Sequence, residues 1–434
     1  MPKNICVVGT GYVGLVAGTC LSDFGLNVTC VDSDKRKIAL LNRGVCPIYE
    51  IGLEKLIQRN REKGRLKFSA ELKPAVESAE VIFLAVGTPP GKDGYPDTSG
   101  LEKAAVQVAG YLKGYKVIAN KSTAPVGTAR KLKKLMQENC KKGIKFDLVA
   151  NPEFLREGSS VEDFMRPDRV ILGSDSKKAL QIMKEVYRPL YLIETPFVFT
   201  NFETAELIKY ATNCFLAAKI SFINEMANLC EKTGADIQTV AKAMGLDKRI
   251  GPKFLHAGAG FGGSCLPKDL VGLNQIAERL GYTFRIGEAV LEVNRQRRET
   301  IVIKVKELLG NLKGKTIGVL GLAFKPNTDD TREAPALYII KRLQSEGARI
   351  KAYDPVAMPE ARKILKKVAF AKDAYECAEK TDCLILVTEW NEFRELNLEK
   401  IKKIMNHPNL VDARNVYDPD QARKLGFAFL GIGR

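Results

Sequence analysis

One cysteine carries a nucleophile's surroundings. Cys265 lies in Gly258-Ala-Gly-Phe-Gly-Gly-Ser-Cys-Leu-Pro-Lys-Asp269, where the glycines free the backbone to approach a ligand. Pro267 suits the first turn of a helix, so Cys265 falls at that helix's N-terminus, where the dipole favours a thiolate. Asp269 follows at i+4, one turn along and on the same side. A second i, i+4 pair, Lys209 and Asn213, lies on an amphipathic stretch. A lone lysine on a helix is usually a solvated charge, but a Lys and an Asn together can donate hydrogen bonds to a developing oxyanion. The other nine cysteines fall mostly in strand-like or helix-like runs and read as small core residues.

A different chemistry opens the chain. The apolar run Asn4–Val8 meets Gly9-Thr10-Gly11-Tyr12-Val13-Gly14, then a helix of small residues, then a second strand ending on Asp32. The first glycine permits a tight turn, the second lets backbone approach a pyrophosphate, and the third lets helix and strand pack closely. The helix N-terminus offers free N–H groups to phosphates. Asp32 is placed for ribose hydroxyls and disfavours a 2′-phosphate, so NAD is expected rather than NADP.

These groups need a scaffold. Val81–Val86, Lys116–Asn120 and Asp147–Ala150 read as buried strands. Their polar tails, Gly87-Thr-Pro-Pro90, Lys121-Ser-Thr-Ala-Pro125 and Asn151-Pro-Glu-Phe-Leu-Arg-Glu157, fall where an open parallel sheet binds ligands. Between Asn201 and Leu309 the pattern is helical. From Thr316 strands return, with a glycine turn at Gly321 and an acid at Asp354, but this turn is incomplete and a phosphate-bearing ligand fits it better than a second dinucleotide. The expected fold is α/β, two Rossmann-like doubly wound parallel-sheet domains joined by a central helical region. The expected divisions are 1–198 for the cofactor, 199–310 for a helical connector that also pairs subunits, and 311–434 for the substrate.

Composition narrows the chemistry. The chain of 434 residues is long enough for two or three domains. With 68 basic and 51 acidic residues the net charge is +17, which suggests anionic partners. Residues 101–150 hold 11 basic and 3 acidic residues, mostly between Arg130 and Lys142. Leu132, Leu135 and Met136 recur there at helical spacing with no aromatic residues interleaved, which indicates a solvated helix face rather than a nucleic-acid surface. Only His256 and His407 are present, and no C-x-x-C occurs, arguing against a metal centre or a Ser-His-Asp triad. Cysteine usage suggests a reducing, cytoplasmic compartment. No apolar stretch approaches the roughly 20 residues of a membrane span.

The motifs Gly-Tyr-Val-Gly, Gly-Thr-Pro, Asn-Pro-Glu-Phe-Leu-Arg-Glu-Gly, Gly-Phe-Gly-Gly-Ser-Cys-Leu-Pro-Lys-Asp and Gly-Leu-Ala-Phe-Lys-Pro-Asn-Thr-Asp-Asp-Thr-Arg-Glu resemble those of the UDP-glucose/GDP-mannose 6-dehydrogenases from Gly9 to about Arg414, most closely the UDP-glucose members. The resemblance implies oxidation of UDP-glucose at C6 to UDP-glucuronate with two NAD and one water, through a thiohemiacetal and a thioester on Cys265. It implies that Lys209 and Asn213 handle the oxyanion and proton, that Glu153 is an acid/base carboxylate, and that Asp269 and Thr123 position water. For NAD it implies Gly9, Thr10, Gly11, Tyr12, Val13, Gly14, Asp32, Lys37, Thr88, Thr123, Glu157, Cys265, Lys268 and Arg332. For the nucleotide sugar it implies Glu153, Phe154, Leu155, Arg156, Glu157, Lys209, Asn213, Arg249, the loop with Phe254, Leu255, His256, Gly258, Gly260, Phe261 and Gly262, then Phe324, Lys325 and Arg414. Arg249 is expected to cross from a neighbouring subunit of a homodimer. His256 stands where some relatives carry Lys, which removes a cation if the side chain meets substrate. Neither a metal, a membrane nor a nucleic acid is expected as a partner. The alternatives are another nucleotide-sugar 6-dehydrogenase such as one acting on GDP-mannose, or, more distantly, a non-catalytic NAD sensor or nucleic-acid binder.

Overall fold

The computed structural model describes residues 4–434, which divide into two compact units, 4–212 and 213–434. Each is built on one sheet. In the first, strands β1 (Asn4–Val8), β2 (Asn27–Val31), β3 (Leu66–Ser69), β4 (Val81–Leu84), β5 (Lys116–Asn120), β6 (Phe146–Ala150), β7 (Val170–Gly173) and β8 (Phe197–Thr200) lie in the order 3-2-1-4-5-6-7-8. All neighbours run parallel except β6 and β7, joined antiparallel through the single pair Ala150–Gly173. In the second unit, β9 (Thr316–Leu320), β10 (Arg349–Tyr353), β11 (Val368–Phe370), β12 (Cys383–Leu386), β13 (Asn409–Asp412) and β14 (Ala428–Leu430) follow the order 11-10-9-12-13-14, all parallel.

The apolar runs are explained by this architecture. β4 and β12 are buried at every residue. Helices cover both faces of a parallel sheet, so its central strands carry no polar alternation. In both sheets the strand order reverses beside the first strand, and that switch point is where an open α/β sheet leaves a crevice.

The two sheets use the same position differently. Asp32 follows β2 and Asp354 follows β10. Asp354 is wholly buried and accepts from the backbone N–H of Leu322, Ala323, Val356 and Ala357 and from the Trp390 indole. Asp32 also accepts four bonds but stays partly exposed, so the second sheet differs in presenting no exposed acid at this position.

Between the sheets in sequence, the helix Phe202–Thr233 runs for 32 residues without a glycine or proline. Asn201 caps it by accepting from Thr204 N, and Gly234, with φ +74°, ends it. The helix Arg285–Leu309 buries Val290, Asn294, Arg297 and Ile301 along one stripe. Its apolar members pack as expected, while Asn294 and Arg297 are polar residues committed to the core.

Candidate active site

The glycine turn forms a cradle for a dinucleotide. Gly9 has φ +99°, and a Cβ on Gly14 would lie 1.9 Å from the Gly9 carbonyl oxygen. Only glycine lets the Tyr12–Asp23 helix start that close to β1. Gly11 caps this helix with no side-chain hydrogen bond, and a Cβ there would meet nothing within 4 Å, so the space beside the helix start is open. Asp32 accepts from Thr10 N and Thr10 Oγ1, both at 2.8 Å, and pairs with Lys37 at 3.2 Å. Burial pushes its carboxyl up, but bonds from Asp34, Thr10 and Lys37 outweigh that and hold it below the ordinary carboxylate range. It is therefore an anion across the neutral range, as a ribose acceptor must be. Thr88 donates to the Thr123 carbonyl at 2.5 Å, tying the tails of β4 and β5 together. The residues present fit NAD.

The tail of β6 supplies a second cluster in the same unit. Glu153 Oε1 lies 3.0 Å from Lys209 Nζ, with side chains 6% and 4% exposed. An exposed pair contributes at most about 1 kcal/mol. A pair buried this far costs about 3–5 kcal/mol if one partner is removed, because the other charge is stranded. Glu153 Oε2 also accepts from Leu155 N at 2.6 Å, which fixes the carboxylate plane. Phe154 lies between two cations, with Arg169 3.7 Å and Lys209 5.3 Å from its ring. Arg156 turns away to a bidentate pair with Asp163. Glu157 is half-buried in this tail, and the N–H groups of Gly158 and Ser160 are held by Glu50, which also takes the Tyr12 hydroxyl. Glu50 thus joins the cofactor turn to the 151–160 segment. No local signal marks it, since its partners lie 38, 108 and 110 residues away.

The second unit carries the cysteine. Cys265 is the N-cap of the helix Leu266–Arg279, with Ser264 Oγ 3.5 Å from its sulfur. It is half-buried, whereas seven of the other cysteines are fully buried. Burial pushes the thiols of Cys214 and Cys377 up to about 12. Asp269 is 1% exposed and accepts from Asn213 Nδ2 and Lys268 Nζ, both at 2.6 Å. The cysteine, carboxylate and amide expected from spacing are thus assembled within this unit. Lys209 sits one turn before Asn213 on the same helix.

The loop ahead of Cys265 is threaded tightly. A Cβ on Gly262 would lie 2.3 Å from the Glu333 carbonyl oxygen. Asn224 accepts from Gly258 N, Arg297 donates to Gly258 O, and Asn294 both accepts from Phe261 N and donates to Phe261 O. These three side chains set the loop's path, and the sequence reading overlooked them. Their signal was readable in part, since Asn294 and Arg297 interrupt an otherwise apolar helical stripe. Leu255 and Phe261 are 3% and 4% exposed, so their side chains belong to the core. Phe254 takes φ +67° at the loop's entry. His256 is exposed, as is Arg249, which forms a bidentate pair with Asp247. Phe324 packs over Gly263, and Lys325 Nζ lies 5.6 Å from the Phe324 ring. Arg414 donates to the carbonyls of Val387 and Phe324, and Arg332 pairs with Asp330 while its backbone carbonyl accepts from Gly263 N. Among the described residues no group of three or more His, Cys, Asp or Glu side chains could hold a metal.

Known proteins match this chain along its whole length. Three family models match in succession: the NAD-binding domain of the UDP-glucose/GDP-mannose dehydrogenase family over residues 3–191, its central domain over 203–296 and its UDP-binding domain over 318–419. A UDP-glucose 6-dehydrogenase of Bacillus subtilis is 48% identical over 100% of this chain and 93% of its own length. One from Rhizobium meliloti is also 48% identical, over 99% of each chain. The structure of a UDP-glucose dehydrogenase from the hyperthermophilic archaeon Pyrobaculum islandicum superposes with a TM-score of 0.92 at 37% identity, covering 99% of this chain and 98% of the other.

Proposed function

The chain belongs to the UDP-glucose/GDP-mannose dehydrogenase family, and from that premise we propose that it oxidises UDP-glucose at C6 to UDP-glucuronate, consuming two NAD and one water. The observation that carries this reading is Cys265 at a helix N-terminus one turn before a buried Asp269 bonded to Asn213 and Lys268. The Gly9–Gly14 turn, Asp32 and Lys37, with Thr88, Thr123, Glu157, Lys268 and Arg332, would hold NAD, which would supply the hydride acceptor for the two oxidations.

The chain's own residues do the rest. The Cys265 thiolate adds to the C6 aldehyde to give a thiohemiacetal. After the second oxidation C6 is held as a thioester. Water, positioned by Asp269 and Thr123, attacks the acyl carbon and releases the thiolate. Lys209 and Asn213 donate to the developing oxyanion, where a preorganised donor contributes about 3–4 kcal/mol. Glu153, ion-paired with Lys209, passes protons to and from the substrate. The 254–262 loop, Phe324, Lys325 and Arg414 take the nucleotide sugar, with Arg249 reaching it from the second subunit of a homodimer. The functional divisions are 1–198, 199–310 and 311–434, and the enzyme works in the cytoplasm. No helix among the described residues is long and apolar enough to cross a membrane.

The test is stoichiometric. Two NADH should form per UDP-glucose, with GDP-mannose turned over far more slowly. A yield of one NADH would mean the reaction stops at the aldehyde and would remove the thioester role of Cys265. Equal rates with GDP-mannose would overturn the assignment of substrate.

A further inference from the structure

Glu50 is a buried carboxylate that the reaction scheme above leaves without a part. It lies in the turn between the Lys35–Asn42 and Leu53–Glu62 helices and is 8% exposed. Its Oε1 accepts from Ser160 N at 2.9 Å and its Oε2 from Gly158 N at 2.7 Å. The same Oε2 takes the Tyr12 hydroxyl, whose oxygen lies 3.2 Å from both Gly158 N and Ser160 Oγ. Among the described residues no lysine or arginine pairs with Glu50.

An unpaired carboxylate out of water is costly unless hydrogen bonds replace the water it loses. Here every partner is a donor. A carboxylate accepts at both oxygens, whereas an amide of the same size would turn its NH2 against one of the two backbone N–H groups. Burial, and then the Glu50 carboxylate itself, push the Tyr12 hydroxyl well above its ordinary range, so it stays a neutral donor. Ser159 gives the short Ser160–Met165 helix no side-chain cap, and Glu50 supplies that acceptor from elsewhere in the chain.

The segments joined are the two that the reaction needs in register. Tyr12 is the first residue of the helix that follows the glycine turn. On the other side, the 153–157 stretch is fixed at its start by the Glu153–Lys209 pair and runs directly into Gly158. The charge of Glu157 is felt at Tyr12 as well. We propose that Glu50 is a positioning residue of this reaction, locking the segment that carries Glu153 and Glu157 to the turn that takes NAD. This rests on the roles given to that segment and that turn under Proposed function. Order gained at the turn when the cofactor binds is passed through Tyr12 and Glu50 to Gly158 and Ser160.

Hydrogen exchange of the full chain, with and without NAD, tests this. In the parent, NAD should slow exchange in the 9–23 segment, and by about fivefold in the 158–165 segment, to which no cofactor contact is assigned. Glu50→Gln and Tyr12→Phe should keep the response at 9–23 and lose most of it at 158–165. Their kcat should fall by about tenfold while the NAD dissociation constant changes less than about threefold, because the reacting groups are misplaced rather than the cofactor released. A packing role would lower protection in both segments whether or not NAD is present, and would not remove one response while sparing the other. A response at 158–165 that is missing in the parent, or that persists in the variants, would overturn the proposal. If Glu50→Gln does not fold, Tyr12→Phe decides, since it leaves the carboxylate and both backbone bonds in place. No response at 9–23 in the parent would instead overturn the reading of the cofactor turn, and the Glu50 inference with it.

Discussion

A thiol does this chemistry only where its surroundings favour the anion and leave it reachable. Cys265 has a helix N-terminus and partial exposure, while buried cysteines such as Cys214 and Cys377 are pushed toward the neutral form. Replacing Cys265 by Ser should lower net turnover by at least about a thousandfold, since an alkoxide is not available at neutral pH. Affinity for NAD and for UDP-glucose, read by equilibrium titration, should change less than about threefold. A variant that no longer binds NAD would show that the cysteine has a structural part instead. At this scale the sequence singled out residues by local spacing. Cys265, Asp269, Lys209 and Asn213 were marked by i, i+4 spacing, and helical geometry is local. Glu153 was singled out only through the family resemblance, and its pairing with Lys209 came only with the structure, because 56 positions in the chain separate them.

The elements hold these side chains through a few buried polar contacts. Glu206, on the Phe202–Thr233 helix, caps the Thr128–Asn139 helix by accepting from Gly127 N and Ala129 N, both at 2.7 Å. Burial pushes its carboxyl from 4.5 up to about 7, against the pull of those two N–H groups. A carboxyl raised on folding stabilises the fold fully below pH 4.5, and this contribution is lost as pH rises through about 7. Between pH 5 and pH 8 the parent should therefore lose about 2–3 kcal/mol relative to Glu206→Gln, which cannot titrate. Urea unfolding of both proteins at the two pH values measures this, and parallel losses would show that Glu206 is ionised throughout. The strands were read from their apolar runs. The short edge strands β3, β8, β11 and β14 were not, because three or four residues at an edge carry too little pattern. The antiparallel β6–β7 junction was equally invisible, since direction depends on where the chain returns.

For the molecule as a whole, the charge of +17 has a local explanation. On the Thr128–Asn139 helix, Arg130 pairs with Glu203, Lys131 with Glu102 and Lys133 with Asp175. The face read as merely solvated carries ion pairs, which water and salt screen. The homodimer proposed above makes a test at this scale. Arg249→Ala and Cys265→Ser, each nearly inactive alone, should regain roughly a quarter of parental activity when mixed and allowed to exchange subunits. A mixed dimer has one site with both an intact cysteine and a partner's arginine. No recovery despite demonstrated exchange would place Arg249 in its own subunit's chemistry.

The sequence by itself determined the central strands of the two sheets, the glycine turn after β1 and a cysteine at a helix start. Each of these is a short-range pattern set by backbone sterics, helical period and burial. Only the tertiary structure decided that Asp354 is wholly buried while Asp32 stays partly exposed, that Glu50 ties the cofactor turn to the 151–160 segment, and that Glu153 and Lys209 form a buried ion pair. The residue types at these positions are the same acids and lysines found on any surface. What separates them is which polar groups and how much water surround them, and that is set by chain segments far apart in sequence.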